Sequence, residues 1–124
     1  MKYDYKKQLR SFRYAWQGIR TCVGKEQNLS FHLIVAVMVG CAGGVFGITR
    51  NEWLAVIICM GMVIGAEMFN TAIERLVDLV SPQKNPLAGQ VKDIAAGAVL
   101  VCAVAAILVG IIVFVPYLTR FLGK

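Results

Sequence analysis

Charged residues are scarce in this chain: Asp, Glu, Lys and Arg account for 16% of its 124 residues, whereas 58% are hydrophobic. Such a balance is too apolar for an ordinary soluble domain, which excludes most soluble enzymes and binding modules. The sequence also has no CxxC pair among its four cysteines. No redox or metal motif is therefore predicted, and the cysteines are interpreted as small apolar packing residues.

Two further kinds of motif are missing. Neither a Walker-type phosphate loop nor a protein-kinase signature occurs, so any nucleotide chemistry has to use another kind of site. Residues 1–30 do not resemble a cleavable signal peptide, because their basic residues are interspersed instead of preceding an apolar run. The first apolar span is therefore expected to direct insertion into the membrane.

The apolar residues of the chain are concentrated in long runs. Crossing a hydrocarbon core roughly 30 Å thick takes about 20 helical residues, and three runs have this length. They predict one all-α membrane domain, residues 1–124, with transmembrane helices at about 30–48, 52–80 and 91–117. The second helix is expected to project beyond the membrane, and Pro86 and Gly89 are expected to keep the chain irregular until about Gln90.

The basic residues indicate how the chain is oriented. Ten of the 13 precede the first span or lie between the second and third, which predicts a cytoplasmic N-terminus. The other three, Arg50, Arg120 and Lys124, are expected on the outer side of the membrane. Apolar residues at positions 9, 12, 16 and 19 share one helical face, so residues 5–25 are expected to form an amphipathic helix on the membrane surface, not a nucleic-acid-binding segment.

Glycines are frequent within the spans and include two GxxxG spacings. These are Gly43 with Gly47 and Gly61 with Gly65. Small residues at this spacing let helix backbones approach closely in a membrane. Since three short spans offer little internal core, packing between copies of the chain is expected, in a homo-oligomer.

Polar and acidic residues form a stripe on the second transmembrane helix, starting where its apolar run ends. Its members are Glu67, Asn70, Thr71, Glu74 and Asp78. Their spacing places them on one helical face, and ionisable residues near lipid are functional by default. Apolar neighbours disfavour the charged form of Glu67, which suits a general base. Glu74 and Glu26 are candidate ligands for Mg²⁺, which prefers a few carboxylates together with water and phosphates.

Lys92 and Asp93 open the third transmembrane helix on the same side of the membrane. Lys92 can contact either a substrate phosphate or lipid headgroups, and Asp93 can serve either the site or the helix N-terminus. Together with the acidic stripe they suit phosphoryl transfer to an alcohol held in the membrane. The chemistry of these residues alone predicts no more than an acidic, cation-binding site in a membrane protein. A small cation-coupled transporter and a non-catalytic assembly subunit remain alternatives.

Several segments resemble the prokaryotic diacylglycerol kinase and undecaprenol kinase family, over nearly the whole chain. The most specific block is E-M-F-N-T-A-I-E at 67–74, with the Lys92-Asp93 pair further along; the others are 14–20, Glu26, Val77-Asp78 and 88–100. The resemblance implies a homotrimer in the bacterial inner membrane, with active sites shared between subunits at the cytoplasmic face. It also implies transfer of the ATP γ-phosphate to a lipid hydroxyl, with Mg²⁺ required.

The resemblance also assigns roles by matched position. Glu67 would be the general base and would contact the lipid, and Glu26 and Glu74 would hold the metal through the ATP phosphates. The remaining nucleotide contacts would be Lys7, Tyr14, Asn70, Lys92 and Asp93. Trp16, Arg20 and residues 28–32 would border the lipid entrance, although His32 itself is interpreted as an interfacial anchor.

Departures from the family pattern bear on the lipid. The chain has Gln83 and Ala96 where the proteobacterial diacylglycerol kinases have an acid and a serine. The segments 80–82, 85–88 and 93–97 look more like the undecaprenol kinase branch. Undecaprenol is therefore the favoured substrate, with diacylglycerol as the alternative.

Overall fold

The computed structural model describes residues 1–123 and is helical almost throughout. Its helices are α1 (Tyr5–Cys22), α2 (Gln27–Phe46), α3 (Arg50–Val80) and α4 (Pro86–Phe121). Lys124, which the charge analysis places on the outer side, lies outside the described residues. The last three helices are long and apolar enough to cross a membrane, as predicted for a multi-pass membrane protein.

Helix α1 begins at a well-formed cap and lies largely exposed. The Asp4 carboxylate accepts hydrogen bonds from the backbone N–H groups of Lys6 and Lys7, which satisfies donors that an α-helix leaves free at its start. The large apolar side chains of α1, including Phe12 and Trp16, are exposed. Cys22, the last residue of α1, is buried, so this helix is anchored at its C-terminal end.

A tight turn joins α2 to α3 and makes the two helices antiparallel. Gly47 ends α2 in the left-handed conformation (φ 64°), which glycine adopts without steric cost. Thr49 and Glu52 then form a capping box that starts α3. Gly43 is buried beside the turn, and a Cβ atom there would lie 2.7 Å from the Trp53 ring. A Cβ atom at Gly47, Gly61 or Gly65 would meet nothing within 4 Å, so helix packing at the GxxxG spacings stays a prediction.

The segment between α3 and α4 is shorter than the sequence predicts. Helix α4 starts at Pro86, not near residue 91, because the Asn85 side chain accepts hydrogen bonds from the backbone N–H groups of Leu87 and Ala88. Proline is favoured at the first helical position, where its missing N–H costs nothing. Pro86 therefore initiates a helix here instead of keeping the chain irregular, and Gly89 lies inside it.

The antiparallel helices create two different ends. At the hairpin end, Ile48, Val56 and Val113 form a small core, and the Tyr117 hydroxyl donates to Glu52 Oε1 at 2.6 Å. The opposite end, called the acidic end, contains Glu26, Glu67 and Glu74. Between them most apolar side chains of α2 and α4 stay exposed, which is expected of helices that face lipid or other subunits.

Candidate active site

Glu67 is the central residue of the acidic end. It lies on α3 directly after the apolar run and is only 4% exposed. Its Oε2 atom is 3.9 Å from Nε2 of His32 on α2. A buried carboxyl group is costly unless other groups compensate its charge, which makes Glu67 the first candidate for a functional residue.

Asn70 and Glu74 continue from Glu67 along the same face of α3. The Asn70 Nδ2 group donates to Glu74 Oε1 at 3.3 Å and so fixes that carboxylate. Asn70 is 6% exposed, and its Oδ1 atom is buried without a hydrogen-bond partner in the described part of the chain. Thr71 Oγ1 donates to the backbone oxygen of Glu67 at 3.1 Å, so its hydroxyl hydrogen is bonded within α3. The site therefore holds one buried acceptor that is ready for a further donor or cation.

Glu26 approaches this group from the start of α2. It occupies the N-cap position of α2 but makes no side-chain capping bond. Its Oε1 atom instead contacts the Arg75 guanidinium on α3 at 3.3 Å. Glu26 and Glu74 are both near enough to Glu67 for their charges to interact with it. The fold thus brings Glu26, from the start of α2, to the part of α3 that carries Glu67 and Glu74.

The oxygen donors of this cluster fit Mg²⁺. Glu26 and Glu74 each use one carboxylate oxygen in the contacts above, and the free Asn70 Oδ1 atom is also a hard donor. Within residues 1–123 no group of three or more His, Cys, Asp or Glu side chains could hold a metal by itself. Mg²⁺ commonly binds one or two carboxylates and takes its other ligands from water and phosphates, so two glutamates suffice.

Lys92 and Asp93 lie at the start of α4, across from the end of α3. The Lys92 ammonium group pairs with the Asp78 carboxylate, and this contact ties α4 to α3. Asp93 is exposed on the next position. Asp78, which belongs to the predicted stripe, is therefore occupied by a lysine and lies outside the buried cluster.

The candidate residues on α1 are not assembled with the carboxylates. Lys7, Tyr14, Trp16 and Arg20 are all exposed, and no hydrogen bond or ion pair among residues 1–123 connects their side chains to the acidic end. The position of α1 along the chain therefore does not by itself bring them to the site.

Two contacts of the carboxylates were not predicted from the sequence. His32, which was expected at the lipid entrance as an interfacial anchor, lies against Glu67. Arg75 pairs with Glu26, which is 49 positions away in the chain. His32 does carry a signal, because it is the only histidine and stands at the edge of an apolar run. Arg75 carries no such signal in the sequence, because its pairing with Glu26 depends on how α2 packs against α3.

An apolar groove of about 370 Å³ starts beside the acidic end and runs towards the middle of the bundle. It lies between α2, α3 and α4. Phe31, His32 and Val63 line its first part, and Val39 and Gly110 line its far part. Because His32 also contacts Glu67, the groove and the buried carboxylate meet at one side chain.

Comparison with known proteins identifies the family of the chain. The family model described as prokaryotic diacylglycerol kinase matches residues 13–114. Undecaprenol kinase of Bacillus subtilis is 38% identical over 109 residues, which cover 88% of this chain and 89% of that protein. Diacylglycerol kinase of Synechocystis is also 38% identical over 109 residues, covering 86% of this chain and 61% of that protein. Diacylglycerol kinase of Escherichia coli is 30% identical over 98 residues, covering 77% and 78%. The chain therefore belongs to the prokaryotic diacylglycerol kinase family, a family of membrane lipid kinases.

Proposed function

We propose that the chain is an ATP- and Mg²⁺-dependent kinase that phosphorylates the hydroxyl group of a membrane lipid, with undecaprenol as the favoured substrate. The observation that carries this proposal is the buried Glu67 carboxyl 3.9 Å from His32, a residue that also lines the apolar groove. Glu26 and Glu74 act on the charge of Glu67 from nearby. A lipid chain in the groove would bring its hydroxyl to a base, and the other carboxylates would stand where phosphates arrive.

Glu67 acts as the general base of the transfer. Its carboxylate accepts the proton of the lipid hydroxyl while the hydroxyl oxygen attacks the γ-phosphorus of ATP. The bond between that phosphorus and the β–γ bridging oxygen breaks, so the products are the lipid phosphate, ADP and a proton held on Glu67. Burial in apolar surroundings keeps water from competing as the acceptor.

The neighbouring side chains hold the phosphates in position. Glu26 and Glu74 bind Mg²⁺, which when bound neutralises phosphate charge during the transfer. Asn70 orients Glu74, and Arg75 orients Glu26. The Lys92 ammonium group leaves its ion pair with Asp78 when ATP binds, and it then contacts the phosphate oxygens of the nucleotide.

Residues on α1 complete the nucleotide site and the lipid entrance, and they do so in a homotrimer. Lys7 and Tyr14 contact the nucleotide, and Trp16 and Arg20 border the lipid. Two features support shared sites: these side chains are exposed in the single chain, and so is most of the apolar surface of α2 and α4. Crosslinking in membranes tests the assembly. A ladder that ends at three subunits is expected, and one that ends at two would contradict it.

The membrane placement follows from charge. The basic N-terminus and the α3–α4 connection lie on the cytoplasmic face of the bacterial inner membrane, where ATP is available. Cysteine labelling at the two ends of the bundle tests this, with positions near Ser81 reacting only from the cytoplasmic side.

Two observations favour undecaprenol over diacylglycerol as the substrate. At Gln83 and Ala96 the chain departs from the proteobacterial diacylglycerol kinases, and its similarity covers more of a known undecaprenol kinase. The chain matches 89% of the undecaprenol kinase of Bacillus subtilis but 61% of the equally identical Synechocystis diacylglycerol kinase.

The direct test offers undecaprenol and diacylglycerol separately to purified protein in detergent with ATP and Mg²⁺, and separates the products by thin-layer chromatography. Faster phosphorylation of undecaprenol is expected. Preference for diacylglycerol would change the substrate assignment only, and no product from either lipid would overturn the kinase proposal.

A further inference from the structure

The kinase proposal gives His32 no role in the transfer step itself. It is the only histidine of the chain, and its side chain is 19% exposed at the acidic end of α2. One edge of the ring faces the Glu67 carboxylate, with Nε2 and Oε2 3.9 Å apart. The neighbouring Phe31 ring packs edge-on against it at a centroid distance of 5.6 Å. The imidazole is therefore held between an aromatic ring and the carboxylate.

The surroundings of Glu67 make this contact important. The titratable groups acting on it are His32 from α2, Glu26 from the start of α2 and Glu74 from α3 itself. The two carboxylates repel its charge, whereas the imidazole of His32 can offer it an N–H group. Among the described residues, the ion pairs of Arg75 and Lys92 go to Glu26 and Asp78 instead. His32 is thus the group available to fix the orientation of the Glu67 carboxylate.

A general base needs such an orientation. One carboxylate oxygen must point at the hydroxyl to be deprotonated, and displacement by about 1 Å can cost roughly 100-fold in rate. The 3.9 Å separation between Nε2 and Oε2 is longer than a hydrogen bond. Catalytic contacts of this kind commonly shorten when substrate binds.

We propose that His32 is the positioning residue of Glu67: its Nε2–H group holds the Oε2 atom and leaves Oε1 to accept the proton of the lipid hydroxyl. The inference rests on the proposed kinase function and deepens it. Since His32 also lines the apolar groove, the same ring contacts the lipid chain and orients the Glu67 carboxylate. It does not contact the reacting atoms and exchanges no proton with the substrate.

The test uses His32→Phe and His32→Leu, which both keep an apolar side chain on the groove wall and remove the N–H donor. His32→Gln restores an N–H donor of similar reach. Ile34→Phe is the matched control, because Ile34 lies two residues away on α2 and is exposed. For each full-length variant in detergent, kcat and KM for ATP and for the lipid are measured, together with thermal unfolding.

Both apolar variants are expected to lose about 10- to 100-fold in kcat while KM for ATP changes less than about threefold. His32→Gln is expected to recover most of the loss, and Ile34→Phe to behave as wild type. A merely structural histidine would not give this split or this rescue.

Other results overturn the inference. Wild-type kcat in both apolar variants would show that Glu67 needs no partner, and a change confined to KM for the lipid would make His32 only a wall of the groove. Failure of both apolar variants to fold would assign His32 a structural role. The kinase proposal itself fails separately, when the wild-type protein phosphorylates neither lipid.

Discussion

Replacing Glu67 by glutamine tests the centre of the proposed mechanism. The amide has nearly the same shape as the carboxyl group but cannot accept the hydroxyl proton. General bases contribute about 100- to 10,000-fold to rates. Glu67→Gln should therefore lower kcat by that factor, which corresponds to about 3 to 5 kcal/mol in the activation free energy.

The structure indicates that this loss would come from chemistry and not from unfolding. Glu67 is 4% exposed, so an isosteric side chain retains its packing. The Thr71 hydroxyl donates to the backbone oxygen of Glu67 and is unaffected by the substitution. Removing a buried charge also removes its desolvation cost, so thermal stability should be equal to wild type or higher.

The assay is ATP-dependent phosphorylation of undecaprenol in detergent with initial rates at saturating ATP and Mg²⁺. Glu52→Gln is the matched control, because it makes the same change on the same helix at the hairpin end, and its kcat should stay within about twofold of wild type. A folded Glu67→Gln protein that keeps kcat within about threefold of wild type would refute the assignment of Glu67 as the base.

Four further substitutions test other parts of the structure. Glu26→Gln and Glu74→Gln should each raise the Mg²⁺ concentration for half-maximal rate by about tenfold or more, because each removes a hard anionic ligand. An unchanged Mg²⁺ dependence in a titration at fixed ATP would contradict the metal assignment. Gly43→Ala should destabilise the protein by about 1–3 kcal/mol, because the new Cβ would overpack the hairpin. Gly44→Ala, which meets nothing within 4 Å, should not, and equal unfolding curves for the two would contradict the packing. Tyr117→Phe should lower the thermal unfolding temperature and leave kcat unchanged, because it removes a 2.6 Å hydrogen bond at the hairpin end. Loss of activity without loss of stability would argue against this purely structural role.

Local sequence signals predicted part of the candidate site well. Glu67, Asn70 and Glu74 fall on one face of a helix by spacing alone, and the structure places them there. The start of α4 was predicted less well, because proline and glycine usually indicate irregular chain. The Asn85 side chain decides otherwise by capping the helix at Pro86.

The partners of these residues could not be predicted from spacing. Glu26 meets Arg75 and His32 meets Glu67 only because the turn at Gly47 folds α2 back along α3 in one register. Changing that register by one residue would rotate each side chain by about 100° around its helix and separate the pairs.

The sequence by itself determined that this is a helical membrane protein, because helix length and apolar content are properties of consecutive residues. It also determined the family, through the block at 67–74 and the Lys92-Asp93 pair. Only the tertiary structure decided that a histidine faces the buried carboxylate and that the same histidine lines a groove of about 370 Å³. Those features arise from packing between helices, and packing depends on side chains that are far apart in the chain.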